Sequence, residues 1–307
     1  MTKKIATRQG VLLLAHGSPD SPQQVPEFLL QVTNGRPLPK QVVDEVTHRY
    51  SLIGRSPLTE LTLKQATLLS EELGLPAYVG MRNWKPFISD SIAEMTADGI
   101  QHAVVICLAP QNSRTSVGLY RSALINDRHL PFGHDFVESW HDHPLLIRAF
   151  AEKLQSGWKK ACAELGCKLQ VIFTAHSVPQ RTIVEGDPYE NQAKETAALV
   201  AFEAALSPED WTFAFQSQGM SGGAWLGPTV EATITDLKSK GHQGVFIQPI
   251  GFLCDHVEIL YDIDIGFKQF AEQQGMRLWR AESLNDSPLL AAALADIARS
   301  RLTASVA

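Results

Sequence analysis

Histidine and carboxylate residues follow three apolar runs of the sequence, close to the point where each run ends. VLLLA is followed directly by His16, LQVIFT by His176 after one alanine, and GVFIQPI by a polar segment that contains Glu258. Neutral imidazole is the commonest metal ligand, and imidazole and carboxylate groups both accept protons in catalysis. One polar residue at a strand end is usually structural, but three such positions together favour one metal-binding or proton-transfer site.

The segment DHVEILYDID carries three carboxylates at helical spacing. Asp255, Glu258 and Asp262 stand at i, i+3 and i+7, so a helix would present them on one face. A solvated helix face is the simple interpretation, since the repulsion amounts to roughly a few tenths of a kcal/mol per pair. A helix that starts straight after a buried strand, however, turns its first residues towards a crevice. There the helix dipole favours acids, and a carboxylate stripe could conduct a hard cation inward.

The rest of the sequence alternates short apolar runs with helical patterns, which is typical of an α/β fold with parallel sheets. The expected strands are residues 11–15, 77–80, 103–109, 169–174, 211–216, 244–250 and 277–281. The expected helices are residues 64–73, 86–99, 145–164, 191–205, 229–240, 257–274 and 288–302. Ligands bind at the carboxyl ends of strands in such folds, so His16, His176 and Glu258 are expected to meet at that edge.

A chain of 307 residues with two such sets of elements predicts two doubly wound, Rossmann-like domains. We assign residues 1–145 to the first domain and residues 146–307 to the second. The division falls where HDHP (141–144) interrupts the pattern. The last helix is expected to pack back on the first domain.

Composition excludes several classes of protein. The chain is 44% hydrophobic with a net charge of −6 and no block of Lys or Arg, so a nucleic-acid partner is not expected. No apolar run approaches the roughly 20 residues of a transmembrane helix, and VLLLA is too short for a signal peptide. We therefore expect a cytoplasmic protein. The four cysteines are scattered, which indicates free thiols and no iron–sulfur cluster.

An ordered set of short strings resembles the ferrochelatase family over nearly the whole chain. The strings are IGRSPL, YVGMRNWKPF, LAP, TAHSVP, GDPYENQAKET, QSQG, WLGP, PIGFLCDHVEILYDID and ESLND. The resemblance implies two chelatase-type domains with a porphyrin cleft between them. It also implies a lyase of haem biosynthesis that takes Fe²⁺ and a porphyrin as substrates and requires no cofactor. We expect this enzyme to be a monomer.

By the same resemblance, the metal-site histidine and glutamate of the family fall on His176 and Glu258. The acidic stripe continues at Asp262, which is expected to be a weaker metal contact. Where some relatives carry a further acid one turn on, this chain has Gly266, so the stripe is shorter.

The chain length is similar to that of the short bacterial branch, which acts on coproporphyrin III. The residues that contact substrate propionates in that branch fall here on Arg49, Tyr50, Ser56 and Tyr120. Two positions depart from the branch. His16 stands where a tyrosine is usual, and imidazole binds iron better than a neutral phenol does, so His16 is a candidate axial ligand. An arginine expected before the GR turn is absent, with Arg36 as its substitute.

Other functions stay open on the sequence alone. Within the family, protoporphyrin IX is the alternative substrate. A cobalt or nickel chelatase would share the fold and a His/Glu site, but GDPY and QSQG favour the iron branch. A non-catalytic haem-binding protein would need no base, which His176 and Glu258 supply. Trp84, Trp225 and Tyr189 are either walls for a flat ligand or ordinary core aromatics.

Overall fold

The computed structural model describes residues 7–125, 129–218 and 223–304, and these residues form two four-stranded sheets, all parallel. The first sheet has the order β2-β1-β3-β4, with β1 (Gln9–Ala15), β2 (Ala77–Met81), β3 (His102–Cys107) and β4 (Gly133–Val137). The second has the order β6-β5-β7-β8, with β5 (Gln170–His176), β6 (Trp211–Gln216), β7 (Gly244–Pro249) and β8 (Arg277–Arg280). Both sheets therefore repeat one strand order, and the predicted α/β fold is confirmed.

Helices connect the strands and cover the sheets. The first half, up to residue 143, contains α1 (Val25–Val32), α2 (Lys40–Ile53), α3 (Leu58–Leu73), α4 (Ile88–Ala97) and α5 (Val117–Ile125). The second half contains α6 (Pro144–Leu165), α7 (Gln180–Val184), α8 (Tyr189–Glu203), α9 (Val230–Ser239), α10 (Val257–Leu260), α11 (Lys268–Gln273) and α12 (Pro288–Ala304). The domain boundary at residues 145 and 146 stays a prediction, although each sheet takes its strands from one side of it.

The central strands are apolar because helices lie over both faces of each sheet. Residues 11–14 of β1 are 0% exposed, and all six residues of β7 are buried. Because these strands are buried on both faces, polar residues begin only where each strand ends. The strand ends therefore set the direction in which these residues leave the sheet.

Some elements were not expected from the sequence. In the edge strand β4, two of five residues are exposed and only Val137 is buried, so its apolar signal is weak. The helix α2 has Tyr50 as its only buried residue for the same reason. α1 and α2 lie between β1 and β2, and their apolar residues pack with Trp84 in a separate small core.

The predicted helix 257–274 is interrupted. A π-helix, Asp262–Phe267, lies between α10 and α11. The carbonyl of Tyr261 accepts the N–H of Gly266, five residues on, at 2.8 Å as well as that of Ile265 at 3.1 Å. The wider turn rotates the residues that follow it relative to a regular α-helix.

The two halves are joined at two places, and we call the region between the carboxyl ends of their sheets the crevice. α12 packs against α3 of the first half and α6 of the second. Gln65 on α3 donates to the carbonyl of Asn285 at 2.6 Å. At the facing edges, Gln111, after β3, donates to the carbonyl of Ile250, after β7, at 3.2 Å. Within the described ranges, no helix has the length and apolar character that crossing a membrane requires.

Candidate active site

The strand ends bring the predicted chemistry to this crevice. His176 is the last residue of β5, His16 follows β1, and Glu258 stands in the first turn of α10 after β7. The charge of Glu258 contributes to the pKa of His16, which lies on the other half. The expectation that these three residues meet at one edge is therefore consistent with the structure.

His176 and Glu258 form the central pair. Nε2 of His176 lies 3.3 Å from Oε1 of Glu258, and both side chains are 34% exposed. The other ring nitrogen, Nδ1, lies 2.5 Å from the carbonyl oxygen of Ser177. A carbonyl only accepts, so Nδ1 carries a proton and Nε2 is the nitrogen presented to Glu258.

The charges of this pair stabilise each other. Burial lowers the pKa of His176, but the Glu258 carboxylate and the Ser177 carbonyl more than offset it and raise the pKa above its usual value. Burial likewise raises the pKa of Glu258, but His176, His256 and His16 together lower it to about 2. Glu258 is therefore ionised near neutral pH, and His176 holds a proton more readily than a free imidazole.

Polar groups of the second half fix the position of Glu258. Its N–H donates to Nδ1 of His256 at 3.0 Å, and its carbonyl accepts from Gln216 at 3.1 Å. Gln216 in turn accepts from the hydroxyl of Thr174 at 2.7 Å. The sequence analysis did not single out His256. The DHVE string could have indicated it, because a histidine two residues before a glutamate can accept the backbone N–H of that glutamate.

Asp262 lies one turn beyond Glu258 and faces the first half. Ser217 donates to its carboxylate, and Arg49 of α2 lies 3.7 Å from it. Burial and the neighbouring charge of Glu258 raise the pKa of Asp262 to about 6, although Ser217 and Arg49 act in the opposite direction.

Asp255 does not belong to the same face, contrary to the spacing argument. It precedes α10, where its carboxylate accepts from Ser283 at 2.7 Å and from Asn285 at 2.9 Å and pairs with Arg280 at 3.2 Å. The helix begins only at Val257, so the i, i+3, i+7 pattern applies to two of the three acids.

His16 presents a neutral imidazole from the first half. Its Nδ1 lies 3.0 Å from the carbonyl of Gly17, and its ring packs edge-on against Phe28 at 5.9 Å between centroids. Although His16 is solvent-exposed, desolvation by the surrounding protein and the neighbouring Arg82 lower its pKa to about 4. Because Nδ1 donates to Gly17, Nε2 keeps its lone pair.

The four predicted propionate contacts differ in their surroundings. Arg49 has a 38% exposed side chain and lies 5.1 Å from the centre of the Tyr261 ring. Tyr50 is buried, and its hydroxyl shares a hydrogen bond of 3.1 Å with Ser18. Ser56 and Tyr120 are also buried. Arg49 therefore lies near Asp262 and is partly exposed, whereas Tyr50, Ser56 and Tyr120 have little exposed surface.

Arg82 is a crevice residue that the sequence analysis missed. Its guanidinium lies 5.4 Å from the centre of the Tyr120 ring, and its Nε is buried with no hydrogen-bond partner among the described residues. Arg36, the expected substitute for the absent arginine, is exposed beyond α1.

The aromatic residues considered as walls have separate surroundings. Trp84 is buried in the small core with Phe28 and Tyr50. Tyr189 donates its hydroxyl to the backbone carbonyl of His176 at 2.9 Å, and Trp225 is half-buried. Of the QSQG string, Gly219 lies outside the described residues.

Across residues 7–125, 129–218 and 223–304, no three His, Cys, Asp or Glu side chains are grouped so that they could hold a metal ion. All four cysteines are free: Cys107 and Cys254 are buried, Cys162 is half-buried and Cys167 is exposed.

The sequence matches one protein family along almost its whole length. The model of the ferrochelatase family matches residues 8–302. The ferrochelatase of Acidobacterium capsulatum is 54% identical, over 96% of this chain and 95% of that protein. The ferrochelatase of Deinococcus radiodurans is 40% identical over 94% of each. The coproporphyrin III ferrochelatase of Halalkalibacterium halodurans is 34% identical, over 98% of this chain and 99% of that protein.

Solved structures of similar fold are chelatases. The sirohydrochlorin chelatase SirB from Bacillus subtilis subspecies spizizenii, in complex with cobalt, has a TM-score of 0.58 at 9% identity and covers 95% of this chain and 94% of its own. CbiX, the terminal enzyme for the biosynthesis of sirohaem in denitrifying bacteria, has a TM-score of 0.53 at 14% identity and covers 95% of this chain and 98% of its own. At these identities the likeness extends to the fold alone.

Proposed function

This chain belongs to the ferrochelatase family, and we propose that it acts on coproporphyrin III through a metal site made by His176 and Glu258. The activity of the family is the insertion of Fe²⁺ into a porphyrin, so the chain is a metal-inserting lyase with those two substrates. The choice of coproporphyrin III is supported by the coproporphyrin III ferrochelatases, of which one is 34% identical over 98% of this chain. Protoporphyrin IX is the alternative.

One contact supports the metal site: Nε2 of His176 lies 3.3 Å from the Glu258 carboxylate at the carboxyl edge of the second sheet. An imidazole nitrogen and a carboxylate oxygen at this distance can bind one cation between them after a small movement. Only two such ligands suit a metal that must move on, and Fe²⁺ stands low in the general order of affinities. Iron is here a substrate, and we infer that no resident cofactor is required.

The proton balance of the reaction fits the charges of the pair. Metal insertion releases two pyrrole protons, and the iron must shed water before it enters the ring. A cation that approaches the pair displaces the proton of His176, because ligands bind metals in their deprotonated form. Once the iron has moved into the ring, Nε2 of His176 and the carboxylate of Glu258 can accept the pyrrole protons.

We propose that the first half holds the porphyrin. Arg49 supplies a charge-assisted hydrogen bond to a propionate, and the buried hydroxyls of Tyr50, Ser56 and Tyr120 supply neutral ones after a local movement exposes them. His16 approaches the iron from the same side. Its low pKa of about 4 keeps it neutral, and its Nδ1 donates to Gly17, which leaves Nε2 as an axial ligand.

Two further inferences concern the oligomeric state and the location of the protein. We propose a monomer, because residues of one chain supply both walls of the crevice: His16 one, His176 and Glu258 the other. We propose a cytoplasmic location, because all four cysteines are free, as is usual in reducing compartments.

The test compares coproporphyrin III with protoporphyrin IX in Fe²⁺ insertion followed by absorbance. We expect a higher kcat/KM for coproporphyrin III, and a preference for protoporphyrin IX would overturn the substrate assignment. His176→Ala should abolish insertion and keep porphyrin binding. The matched control is His141→Ala, since His141 forms a similar pair with Glu195 at 3.0 Å and is not one of the proposed site residues. Near-normal turnover of His176→Ala would refute the metal site.

Other functions are less well supported. The relatives of 54% and 40% identity are ferrochelatases, which favours iron over cobalt or nickel. The cobalt-bound SirB shares only the fold at 9% identity. A non-catalytic haem-binding protein is disfavoured by the same relatives, which are enzymes.

A further inference from the structure

The carboxylate of Asp187 connects the two halves outside the His176–Glu258 pair. Its side chain is 1% exposed. One oxygen, Oδ2, accepts the backbone N–H of Arg114 at 2.8 Å and the hydroxyl of Ser113 at 3.2 Å, both from the first half. The other, Oδ1, accepts the N–H of Tyr189 at 3.0 Å, from the second half. A buried carboxylate with donors on both oxygens is held in one orientation.

Tyr189 extends this connection to the metal site. Its hydroxyl donates to the backbone carbonyl of His176 at 2.9 Å, and its ring is buried in the main core. The peptide that follows His176 is anchored at its other end, where the N–H of Ser177 donates to the carbonyl of Gln216 at 2.7 Å. Two hydrogen bonds therefore fix the plane of this peptide, and with it the direction from which the imidazole leaves the strand end.

Arg114 ties the same turn to the first half a second time. Its guanidinium donates to the carboxylate of Glu185 at 2.7 Å and to the carbonyl of Thr182 at 2.8 Å. Three residues after Arg114, the chain enters α5, which carries Tyr120. A continuous set of contacts thus runs from the helix of Tyr120 to His176.

We propose that Asp187 and Tyr189 are positioning residues for His176, and that they hold the metal-site histidine in register with the helix that carries Tyr120. Neither touches the reacting atoms in this arrangement, since Tyr189 acts on the His176 backbone and Asp187 acts on Tyr189. Changes in groups that orient a metal ligand typically lower activity by about 10–100-fold. The proposal rests on the proposed role of His176 in the metal site but not on which porphyrin the enzyme uses.

Tyr189→Phe is the sharpest test, because it removes one hydroxyl and keeps the buried ring. We expect kcat for iron insertion to fall at least about tenfold with little change in KM for porphyrin. We also expect the ¹⁵N resonances of the His176 ring to shift. The matched control is Tyr78→Phe, since the Tyr78 hydroxyl donates to Asp98 at 2.7 Å in the first half, away from the site. It should leave kcat and the His176 resonances unchanged.

A Tyr189→Phe enzyme with the wild-type kcat and unshifted His176 resonances would overturn the proposal. So would equal losses of kcat in Tyr189→Phe and Tyr78→Phe, because a general loss of stability would then explain both. Thermal unfolding of the two variants identifies that case.

Asp187→Asn tests the first step of the connection. The amide keeps one acceptor oxygen, but its NH2 group faces a backbone N–H, and two donors cannot form a hydrogen bond. Asp187→Asn therefore loses its hydrogen bond to either Arg114 or Tyr189. We expect kcat to fall, and the double variant with Tyr189→Phe to fall no further than the stronger single variant. If the kcat losses of the two single variants multiplied in the double variant, Asp187 and Tyr189 would act independently, which would contradict the proposal. Asp210→Asn is the control, a buried carboxylate that accepts from Ser207 at 3.0 Å in the second half.

Discussion

Arg49 and Asp262 form an ion pair across the crevice, with Nη1 of Arg49 3.7 Å from Oδ1 of Asp262. Arg49 lies on α2 of the first half, and Asp262 begins the π-helix of the second. Nε of Arg49 also donates to Glu45 at 3.1 Å. Arg49, a proposed propionate contact, therefore also pairs with the acid that lies beside the proposed metal site. A propionate that binds Arg49 competes with Asp262 for the guanidinium.

The ion pair predicts the effect of Arg49→Ala. Loss of a charge-assisted hydrogen bond to a propionate should raise KM for the porphyrin about tenfold. The measurement is steady-state Fe²⁺ insertion at varied porphyrin concentration. Arg55→Ala is the control, because Arg55 is 58% exposed and pairs with Glu60 within the first half. Equal KM values for the two variants would show that Arg49 does not bind a propionate.

The His176–Glu258 pair predicts a window of pH in which it stabilises the fold. The folded-state pKa of Glu258, about 2, lies below its ordinary 4.5, so its contribution is present above pH 4.5 and lost as the pH falls towards 2. The pKa of His176 is raised, so its contribution is complete below 6.5 and lost as the pH rises through the folded value. Glu258→Gln should therefore lower the free energy of unfolding most between pH 4.5 and 6.5.

Urea unfolding of the wild type and Glu258→Gln across pH measures that window, and a difference that does not vary with pH would contradict the pairing. A direct check is the NMR titration of His176. In Glu258→Gln its pKa should fall below that of the wild type, because burial then opposes the proton without a carboxylate to offset it.

His16→Ala should change the visible spectrum of the enzyme with its iron porphyrin product. A neutral imidazole with Nε2 free to bind iron predicts bands of histidine ligation in the wild type, and their loss in the variant. His48→Ala is the control, since His48 is an exposed histidine on α2. Identical spectra of the wild type and His16→Ala would exclude axial ligation by His16.

Gly17→Ala should destabilise the fold and disturb His16. Gly17 has a φ of +84°, and a Cβ there would lie 2.8 Å from the backbone nitrogen of Trp84. Gly35→Ala is matched for strain, with a φ of +81° and no atom within 4 Å of the added Cβ. We expect about 1 kcal/mol of destabilisation for Gly35→Ala from the left-handed backbone. For Gly17→Ala we expect roughly 3 kcal/mol or more, because a backbone clash is added. Equal midpoints in urea would disprove the clash.

The sequence predicts most of the site because the site follows from buried strands. His16 follows its apolar run directly, His176 follows after one alanine, and Glu258 follows eight residues after its run. The burial of these runs on both faces gives a continuous apolar signal. The edge strand β4 has only Val137 buried, so no such signal marks it.

Contacts between distant segments leave no pattern in the sequence. The spacing of Asp255 suggested a place on the carboxylate face, but Arg280 at the end of β8 and Ser283 and Asn285 after it bind this carboxylate. Arg82 likewise lies beside His16 and Tyr120 through contacts between separate segments of the chain. The π-helix depends on the hydrogen bond from Gly266 to Tyr261, which helical periodicity does not specify.

The repeated strand order of the two sheets makes the crevice pseudo-symmetric. β1 and β5 occupy the same place in their sheets, and each ends next to a histidine. The halves differ in the charge set beside that histidine: Arg82 acts on His16, and Glu258 acts on His176. The pKa of His16 is thus lowered and that of His176 is raised, although the two imidazoles occupy equivalent positions. A flat ring bound between them would meet an uncharged electron-pair donor on one face and a proton-exchanging pair on the other.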